Sequence, residues 1–278
     1  MATRDLTMGM IFLSQTLTGI LGNFSLLSHY LYLYLTGCKF RSTDLVIKHL
    51  SVANCLVILS RGVPQTMAAL GMKHFLRDIG CKLVFYVHRV GRDVSICSTC
   101  LLSISQAITI SPRNTRWAEL KAKAPKYIGF SVALFWMVNL ILNVMVPLHV
   151  TENGSDKNMT REVDYGYSYS VISDRFTVYG AVYGALVLLR DIFFVVILMS
   201  RATHSILILV STFVSLSSLS SLFHICLIVL NNPSMWLVNT SALIAGSFPT
   251  VSPYILMSHD SRVLRLIFTF SRYTESPA

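Results

Sequence analysis

The chain has 278 residues, of which 53% are hydrophobic and only 13% charged, and its mean hydropathy is +0.60. Soluble domains carry about 25% charged residues, so this composition excludes an ordinary soluble protein and indicates a membrane protein. A formal net charge of +10 would suggest nucleic-acid binding in a soluble protein. Here it reflects the gathering of basic residues on the cytoplasmic side of membrane proteins, and we expect no nucleic-acid partner.

Seven apolar blocks follow one another along the chain, each about long enough to cross a bilayer as a helix. They leave only short connections, which predicts an all-α membrane protein, a single bundle of seven transmembrane helices with no separate soluble domain. Pro249 and Pro253 make the seventh span the one most prone to bend. The predicted spans are residues 8–34, 45–70, 82–110, 127–150, 176–199, 205–230 and 236–257.

The distribution of Lys and Arg predicts the orientation of this bundle. With the N-terminus outside, the inner connections carry twelve basic residues and the outer ones seven, which favours a cytoplasmic C-terminus. Glycosylation sequons begin at Asn153 and Asn158, in the loop that this orientation places outside between spans four and five. Asn23 and Asn239 also begin sequons, but they lie within or near spans and should be out of reach.

Span three carries charges at membrane depth. Arg92 lies about 16 Å along the helix from Cys81, near the midplane of a bilayer core about 30 Å thick. Arg89 and Asp93 are four residues apart and share a helix face, as do His88 and Arg92. Two interpretations stay open, a polar pocket that opens outward and an internal ion pair that fixes helix packing.

The rest of span three and two other spans add further polar features. Residues 90–112 contain Ser, Thr and Cys at many positions. Small polar side chains of this kind allow membrane helices to pack closely, so the stretch predicts a helix buried among other membrane helices. Arg190 and Asp191 form a second charged pair in span five. Arg61, near Pro64 in span two, is expected to extend its side chain toward the lipid headgroups.

The sequence contains no hydrolase motif, P-loop or dinucleotide-binding fingerprint, and no His/Glu set has the spacing of metal ligands. Cys97 and Cys100 form a C-x-x-C pair, but no second ligand pair accompanies them, so a packing role is expected rather than a zinc site. We therefore predict that the chain is not an enzyme and has neither a cofactor nor a metal site.

Long contiguous stretches carry a resemblance to one family. The chain resembles the vomeronasal type-1 receptors, a family of G-protein-coupled receptors, over nearly its whole length. The resemblance implies a plasma-membrane chemoreceptor for pheromone-like small molecules that signals through an inhibitory-type heterotrimeric G protein. The stretches include GILGNFSLL (19–27), STDLVIKHLSVAN (42–54), RGVPQTMAALGMKHFL (61–76), KAPKYIGFS (123–131) and NPSMWLVNTSALIAGSFPTVSPYILMSHDSRV (232–263).

In such a receptor the ligand would bind in the outer half of the bundle and the basic second inner loop, residues 113–126, would face the G protein. That loop has an alternative role in anchoring the chain to anionic lipid. The candidates for the ligand pocket or its ion pairs are His88, Arg89, Arg92, Asp93, Arg190 and Asp191. Those for the G-protein-facing surface are Arg113, Arg116, Lys121 and Lys123.

Two departures from the family pattern bear on function. The family places a cysteine in the second outer loop to bridge the cysteine at the top of span three, but here residues 166–170 read GYSYS, so we predict that Cys81 stays a thiol. The basic segment that follows span five in the family is nearly absent, since residues 198–200 run straight into Arg201. The missing segment predicts a low stability of the chain and poor coupling to the G protein. A non-signalling remnant retained in the endoplasmic reticulum and a small membrane transporter are the alternatives.

Overall fold

The computed structural model describes residues 2–37, 41–72, 74–76, 78–110, 115–144, 159–167, 169–173, 204–230 and 233–260. Predicted span five, residues 176–199, lies outside them. Two strands form an antiparallel hairpin, β1 (Met159–Asp164) and β2 (Tyr169–Ser173). The helices are α1 (Ala2–Leu35), α2 (Ser42–Val57), α3 (Val63–Ala69), α4 (Asp78–Ile110), α5 (Thr115–Asn143), α6 (His204–Val229) and α7 (Met235–His259).

Three of the described helical stretches are long and apolar enough on their own to cross a membrane, Leu6–Leu35, Ser42–Ala69 and Lys123–Asn143. A shorter apolar stretch, Ser211–Leu227, lies in α6. The 33 residues of α4 extend about 50 Å, which also exceeds the bilayer core, but the charged side chains of this helix lower its hydropathy. Such a helix is suited to a position among other helices rather than against lipid.

Helices α2 and α3 form one continuous span through a π-helical turn, Ile58–Gly62. Pro64 explains this irregularity, because it has no N–H to offer the Ser60 carbonyl one turn earlier and its ring disfavours regular helix there. Single π-turns of this kind re-aim side chains and are frequent at functional sites. Here the turn carries Arg61 into the protein interior, where its side chain is 7% exposed.

The prediction that residues 113–126 form a loop is wrong for its larger part, because α5 begins at Thr115 and continues into the span. Residues 117–124 read WAELKAKA, and Ala, Leu, Glu and Lys are the strongest helix formers, so the chain enters the bilayer already helical. The same helix ends at Asn143, seven residues before the predicted end of span four. Pro125 lies inside it.

The hairpin was not predicted, since the connection between spans four and five was interpreted as a polar loop. Asp164 pairs with Tyr169 and Glu162 with Val171, and the strands contain the β-branched and aromatic residues that favour extended structure. We call the end of the bundle that carries this hairpin the hairpin end, and the opposite end the far end.

An apolar core fills the far half of the bundle. The rings of Phe213 in α6 and Phe248 in α7 meet edge to face with their centroids 4.5 Å apart. Helices α2 and α4 approach closely, since a Cβ on Gly91 would lie 3.0 Å from the Ala53 carbonyl oxygen. The core cluster includes Leu26, Tyr30, Val46, Leu50, Ile96, Leu102, Ile128 and Val132.

The Ser and Thr side chains from Ser95 to Ser105 in α4 are buried, which confirms the prediction made from the Ser/Thr-rich stretch. One of them, Ser95, belongs to a hydrogen-bonded group at the bundle centre. Its hydroxyl donates to Asn54 Oδ1 at 2.8 Å, and the Asn54 amide donates to Ser252 Oγ at 2.9 Å and to Asn23 Oδ1 at 3.3 Å. These four side chains, at most 3% exposed, join α1, α2, α4 and α7. We call them the central amide network.

The central amide network also repairs a defect in α7. Pro253 lacks an N–H, so the carbonyl of Pro249, four residues earlier, has no partner within the helix. Asn23 Nδ2 donates to that carbonyl at 2.8 Å, and to the Gly19 carbonyl at the same distance. In a bilayer no water is at hand to satisfy such a group, so the Asn23 amide takes its place.

We predict that Asn23→Ala lowers the free energy of unfolding by about 1–3 kcal/mol, the usual effect of leaving buried polar groups without partners. The loss should be smaller in a Pro253→Ala background, because alanine supplies the missing N–H to the carbonyl of residue 249. Thermal unfolding midpoints of the four proteins of this double-mutant cycle, measured in detergent micelles, test the coupling. Pro125→Ala is the control background. Equal losses in all backgrounds would show that the Asn23–Pro249 bond contributes nothing.

Candidate functional site

The contact between α3 and α7 toward the hairpin end is polar and buried. Arg61 Nη2 donates to Ser241 Oγ at 3.3 Å, and one turn further Gln65 Nε2 donates to Asn239 Oδ1 at 2.8 Å. The expectation that Arg61 extends to the headgroups is therefore wrong. The π-turn points its side chain at α7, where a hydroxyl accepts its hydrogen bond.

A small cavity of about 20 Å³ lies beside this contact, between α1, the π-turn, α4 and α7. It is mixed in character, because Arg61, Gln65 and His88 share it with apolar side chains such as Phe12 and Val57. One water-sized group needs about 10–15 Å³ on this scale. In this conformation the cavity therefore accommodates a water-sized group, and its volume is far below the roughly 300 Å³ or more of a typical small-molecule pocket.

Two polar side chains at the cavity have unused hydrogen-bonding capacity. Gln65 is 3% and His88 5% exposed. Gln65 Oε1 accepts no hydrogen bond from the described residues. The Val57 carbonyl lies near the imidazole of His88, yet neither ring nitrogen makes a hydrogen bond of good geometry to a described group. Buried polar atoms usually have a hydrogen-bond partner, and at the wall of a cavity such atoms are suited to bind water or a ligand.

The hairpin covers this region through its turn. Gly166 lies over the α3–α7 contact. A Cβ placed on this glycine would lie 3.5 Å from Ala68 Cβ and 3.6 Å from Met235 Cε. Its φ of +83° lies in the left-handed region that glycine adopts at little cost. The Asp164 carboxylate accepts the Gly166 N–H at 2.7 Å and thereby fixes the turn.

The connection between α3 and α4 holds the hairpin from the side. The His74 N–H donates to the Gly166 carbonyl at 3.0 Å and the Leu76 N–H to the Tyr167 carbonyl at 3.3 Å. His74 Nδ1 also lies 4.0 Å from Asp164 Oδ1, but both side chains are about one-third exposed or more. Exposed pairs contribute little, so the backbone hydrogen bonds are the stronger attachment.

Aromatic packing supplies the rest of the attachment. Tyr167 is 1% exposed, and Phe85 of α4 meets the Tyr165 ring edge to face at 5.0 Å. Burial raises the pKa of both tyrosines, although the nearby positive charge of Arg61 acts in the opposite direction. Both hydroxyls are therefore neutral at physiological pH. Cys81, one turn from Phe85, is buried and forms no disulfide with another described cysteine, in agreement with the expectation from the sequence.

The predicted charged residues of α4 face different neighbours. His88 lines the cavity, whereas Arg92 Nη2 donates to Ser221 Oγ of α6 at 2.7 Å. Asp93 Oδ2 accepts the Asn143 amide of α5 at 3.1 Å, and Arg89 is half-buried. Successive residues point about 100° apart on a helix, which explains this divergence. Arg190 and Asp191 lie outside the described residues.

The other predicted sites fall partly on described residues. Arg116, Lys121 and Lys123 belong to the first turns of α5, and Arg113 lies outside the described ranges, as do the sequon residues Asn153 and Asn158. Asn23 is fully buried, as its position in a span predicted.

Four functional side chains are not apparent from sequence patterns: Gln65 and Asn239, which pair across α3 and α7, and Asn23 and Asn54 of the central amide network. Asn23 and Asn239 were considered only as sequons. A signal was present for Asn23, because two prolines in one span release two carbonyls that need donors from neighbouring helices. Gln65 follows Pro64 directly, but nothing local indicates which helix it faces.

We predict that Tyr167→Ala raises the rate at which a water-soluble maleimide labels Cys81 roughly tenfold, because removal of a buried ring makes local opening of the hairpin easier. Labelling is quantified by mass spectrometry of the Cys81 peptide. Tyr32→Ala, which removes an exposed ring of α1, is the matched control and should leave the rate unchanged. An unchanged rate in Tyr167→Ala, or a disulfide at Cys81, would contradict this account of the hairpin.

Comparison with known proteins gives a consistent result. The family model described as the vomeronasal organ pheromone receptor family matches residues 6–200 and 198–269. Human vomeronasal type-1 receptor 4 is 46% identical over 304 aligned positions, which cover 98% of this chain and 100% of that receptor. Human vomeronasal type-1 receptor 3 is 44% identical over 299 positions, covering 96% and 95%. Olfactory receptor class A-like protein 1 of Danio rerio is 31% identical over 204 positions, covering 72% and 63%.

The alignments also bear on the shortened connection after span five. The 304 positions aligned with receptor 4 exceed the 278 residues of this chain, so that relative has residues that this chain lacks. The two pieces of the family match meet at residues 198–200, where the sequence analysis predicted a missing segment. The identities and the coverage confirm the resemblance and the all-α, seven-transmembrane fold class: this chain belongs to the vomeronasal type-1 receptor family of G-protein-coupled receptors.

Proposed function

We propose that the chain is a plasma-membrane chemoreceptor that binds a small pheromone-like molecule at the hairpin end and passes the signal to an inhibitory-type G protein at the far end. Membership of a pheromone receptor family carries this proposal. The buried, incompletely satisfied cavity beneath the hairpin supports the location of the ligand site. The family is one of receptors, which fits the expectation that the chain is not an enzyme.

The ligand would enter where His88 and Arg61 lie, once the hairpin moves away from α3 and α7. The cavity, at about 20 Å³, is too small for a pheromone-sized molecule, so ligand binding selects a more open arrangement. Only a difference in affinity between the two arrangements shifts their populations. Arg89, Arg92 and Asp93, with Arg190 and Asp191, are proposed to line the opened pocket or to hold neighbouring helices through ion pairs and hydrogen bonds.

The basic start of α5 is the proposed contact with the G protein. Arg116, Lys121 and Lys123 lie within the first three turns of α5, at the far end from the hairpin, and Arg113 shortly precedes them in the sequence. The shortened connection at residues 198–203 removes part of the surface that the family uses after span five, so we expect weak coupling. That shortening also favours a second candidate, a remnant retained in the endoplasmic reticulum.

Surface display separates these two candidates. An N-terminal tag should be stained on intact cells if the receptor is exported, and only after permeabilisation if it is retained. Staining of intact cells also requires the N-terminus to be outside. Absence of surface signal in the presence of immature glycans would overturn the plasma-membrane assignment and favour the remnant.

We predict that glycosidase treatment shifts the apparent mass of the chain and that the double substitution Asn153→Gln and Asn158→Gln abolishes the shift. The reason is that the proposed orientation places the loop between spans four and five outside. Asn239→Gln is the matched control and should keep the shift. A chain that is unglycosylated in cells, or glycosylated only at other asparagines, would contradict this orientation.

We also predict that nucleotide-free inhibitory-type G protein binds the chain in nanodiscs weakly, and that Arg116→Ala, Lys121→Ala and Lys123→Ala together weaken binding about tenfold. The three charges favour association with acidic surfaces, so binding should also fall with added salt. Lys82→Ala, at the hairpin end of α4, is the control. Undiminished binding by the triple variant would refute a G-protein contact at the start of α5.

A further inference from the structure

The cavity beneath the hairpin has a donor and acceptor pattern that restricts the ligand. Gln65 lines the cavity, and its oxygen is the atom available to a ligand, because its amide nitrogen donates to Asn239 Oδ1 at 2.8 Å. That oxygen has no donor among the described residues. Any group that enters the cavity must therefore bring a hydrogen to Gln65, or leave a buried acceptor unsatisfied at a cost of about 1–3 kcal/mol.

The same group must also accept hydrogen bonds. The Arg61 guanidinium lines the cavity and can only donate. The imidazole of His88, 5% exposed, makes no hydrogen bond of good geometry to a described group and can meet a partner as donor or acceptor. A group that both donates and accepts satisfies all three side chains together.

The size and the walls of the cavity narrow the choice further. Its volume of about 20 Å³ admits a water-sized group, and Phe12, Val57 and Ala242 supply apolar walls. Gln15, Thr16 and Thr250 also line it, but Gln15 Nε2 already donates to the Leu243 carbonyl and Thr250 Oγ1 to the Gly246 carbonyl, both at 2.8 Å. A carboxylate brings two oxygens that only accept, one of which would face Gln65 Oε1. A ketone cannot donate to Gln65, and a hydrocarbon leaves Gln65 and His88 unsatisfied.

We infer that the ligand is a neutral, largely apolar molecule that places a single hydroxyl group in this cavity, where the hydroxyl donates to Gln65 Oε1 and accepts from Arg61 or His88. This inference rests on the proposed ligand-binding function and specifies its chemical class. In the unliganded receptor one water molecule fills the same position, and the ligand hydroxyl replaces it with little loss of hydrogen bonding.

The test compares functional groups on common skeletons. The full chain is purified in nanodiscs, and its unfolding midpoint is measured with decane, decalin and cyclododecane, each as hydrocarbon, ketone, alcohol and carboxylate. Alcohols should raise the midpoint more than the other three forms of the same skeleton. Equal or larger shifts with hydrocarbons or carboxylates, or no shift with any compound, would overturn the inference, and the cavity would then be a site for water alone.

A pair of glutamine variants then locates the effect. Gln65→Met keeps the approximate shape of the side chain but removes both the cavity acceptor and the hydrogen bond to Asn239. The lost acceptor should weaken alcohol affinity about threefold to tenfold, as expected for one neutral hydrogen bond, whereas loss of the Asn239 bond should affect all probes of one skeleton alike. The hydrocarbon form should show only this second effect. Gln106→Met, in the far part of α4, is the matched control. If Gln65→Met does not fold, the ranking of the four probe forms by their shift of the unfolding midpoint in the unaltered chain tests the hydroxyl site.

G-protein activation is measured separately as nucleotide exchange on the same nanodiscs. Alcohol binding without exchange would support this inference and count against the signalling function. Exchange driven by a carboxylate probe would have the opposite meaning, supporting the receptor function and overturning the hydroxyl site.

Discussion

The hydrogen bond from Asn23 to the Pro249 carbonyl is the constraint on which the packing of the bundle depends. Pro253 leaves that carbonyl without a partner inside α7, so α7 is stable in a bilayer only where a neighbour provides a donor. Asn23 meets this need only if α1 lies beside α7 in one register. The same amide accepts from Asn54, which in turn bonds Ser95 and Ser252. Four helices are thereby fixed at one level.

This fixed centre divides the bundle into halves of different character. The far half is a continuous apolar core, in which any movement opens voids between well-packed side chains. The hairpin half contains a small cavity between its helices. Rearrangement costs least where packing is incomplete, so the proposed ligand site lies in the half of the bundle that can adapt while the centre holds its register.

The sequence was sufficient to predict the class of fold and the family, because both depend on long apolar blocks and contiguous motifs. It also predicted the burial of the Ser-rich face of α4. It failed for Arg61, since an arginine near a proline is compatible with lipid headgroups or with the interior, and only the π-turn decides between them. It failed equally for the pairing of Gln65 with Asn239, which are distant in sequence and carry no local signal of their contact.

The two departures from the family pattern affect opposite ends of the bundle and differ in how they can be offset. A lost disulfide raises the entropy of the unfolded chain, at a cost of roughly 2–5 kcal/mol. Burial of an aromatic side chain such as Tyr167 stabilises the folded state by about 1.5–3 kcal/mol, and the backbone hydrogen bonds from residues 74 and 76 stabilise it further. Side-chain packing is therefore of the right size to hold the hairpin in place. A shortened connection is different, because a few residues suffice to join two antiparallel helices but no packing elsewhere restores the lost surface. The proposed ligand binding and the proposed G-protein activation thus rest on separate features of the chain, and we expect the first to survive better than the second.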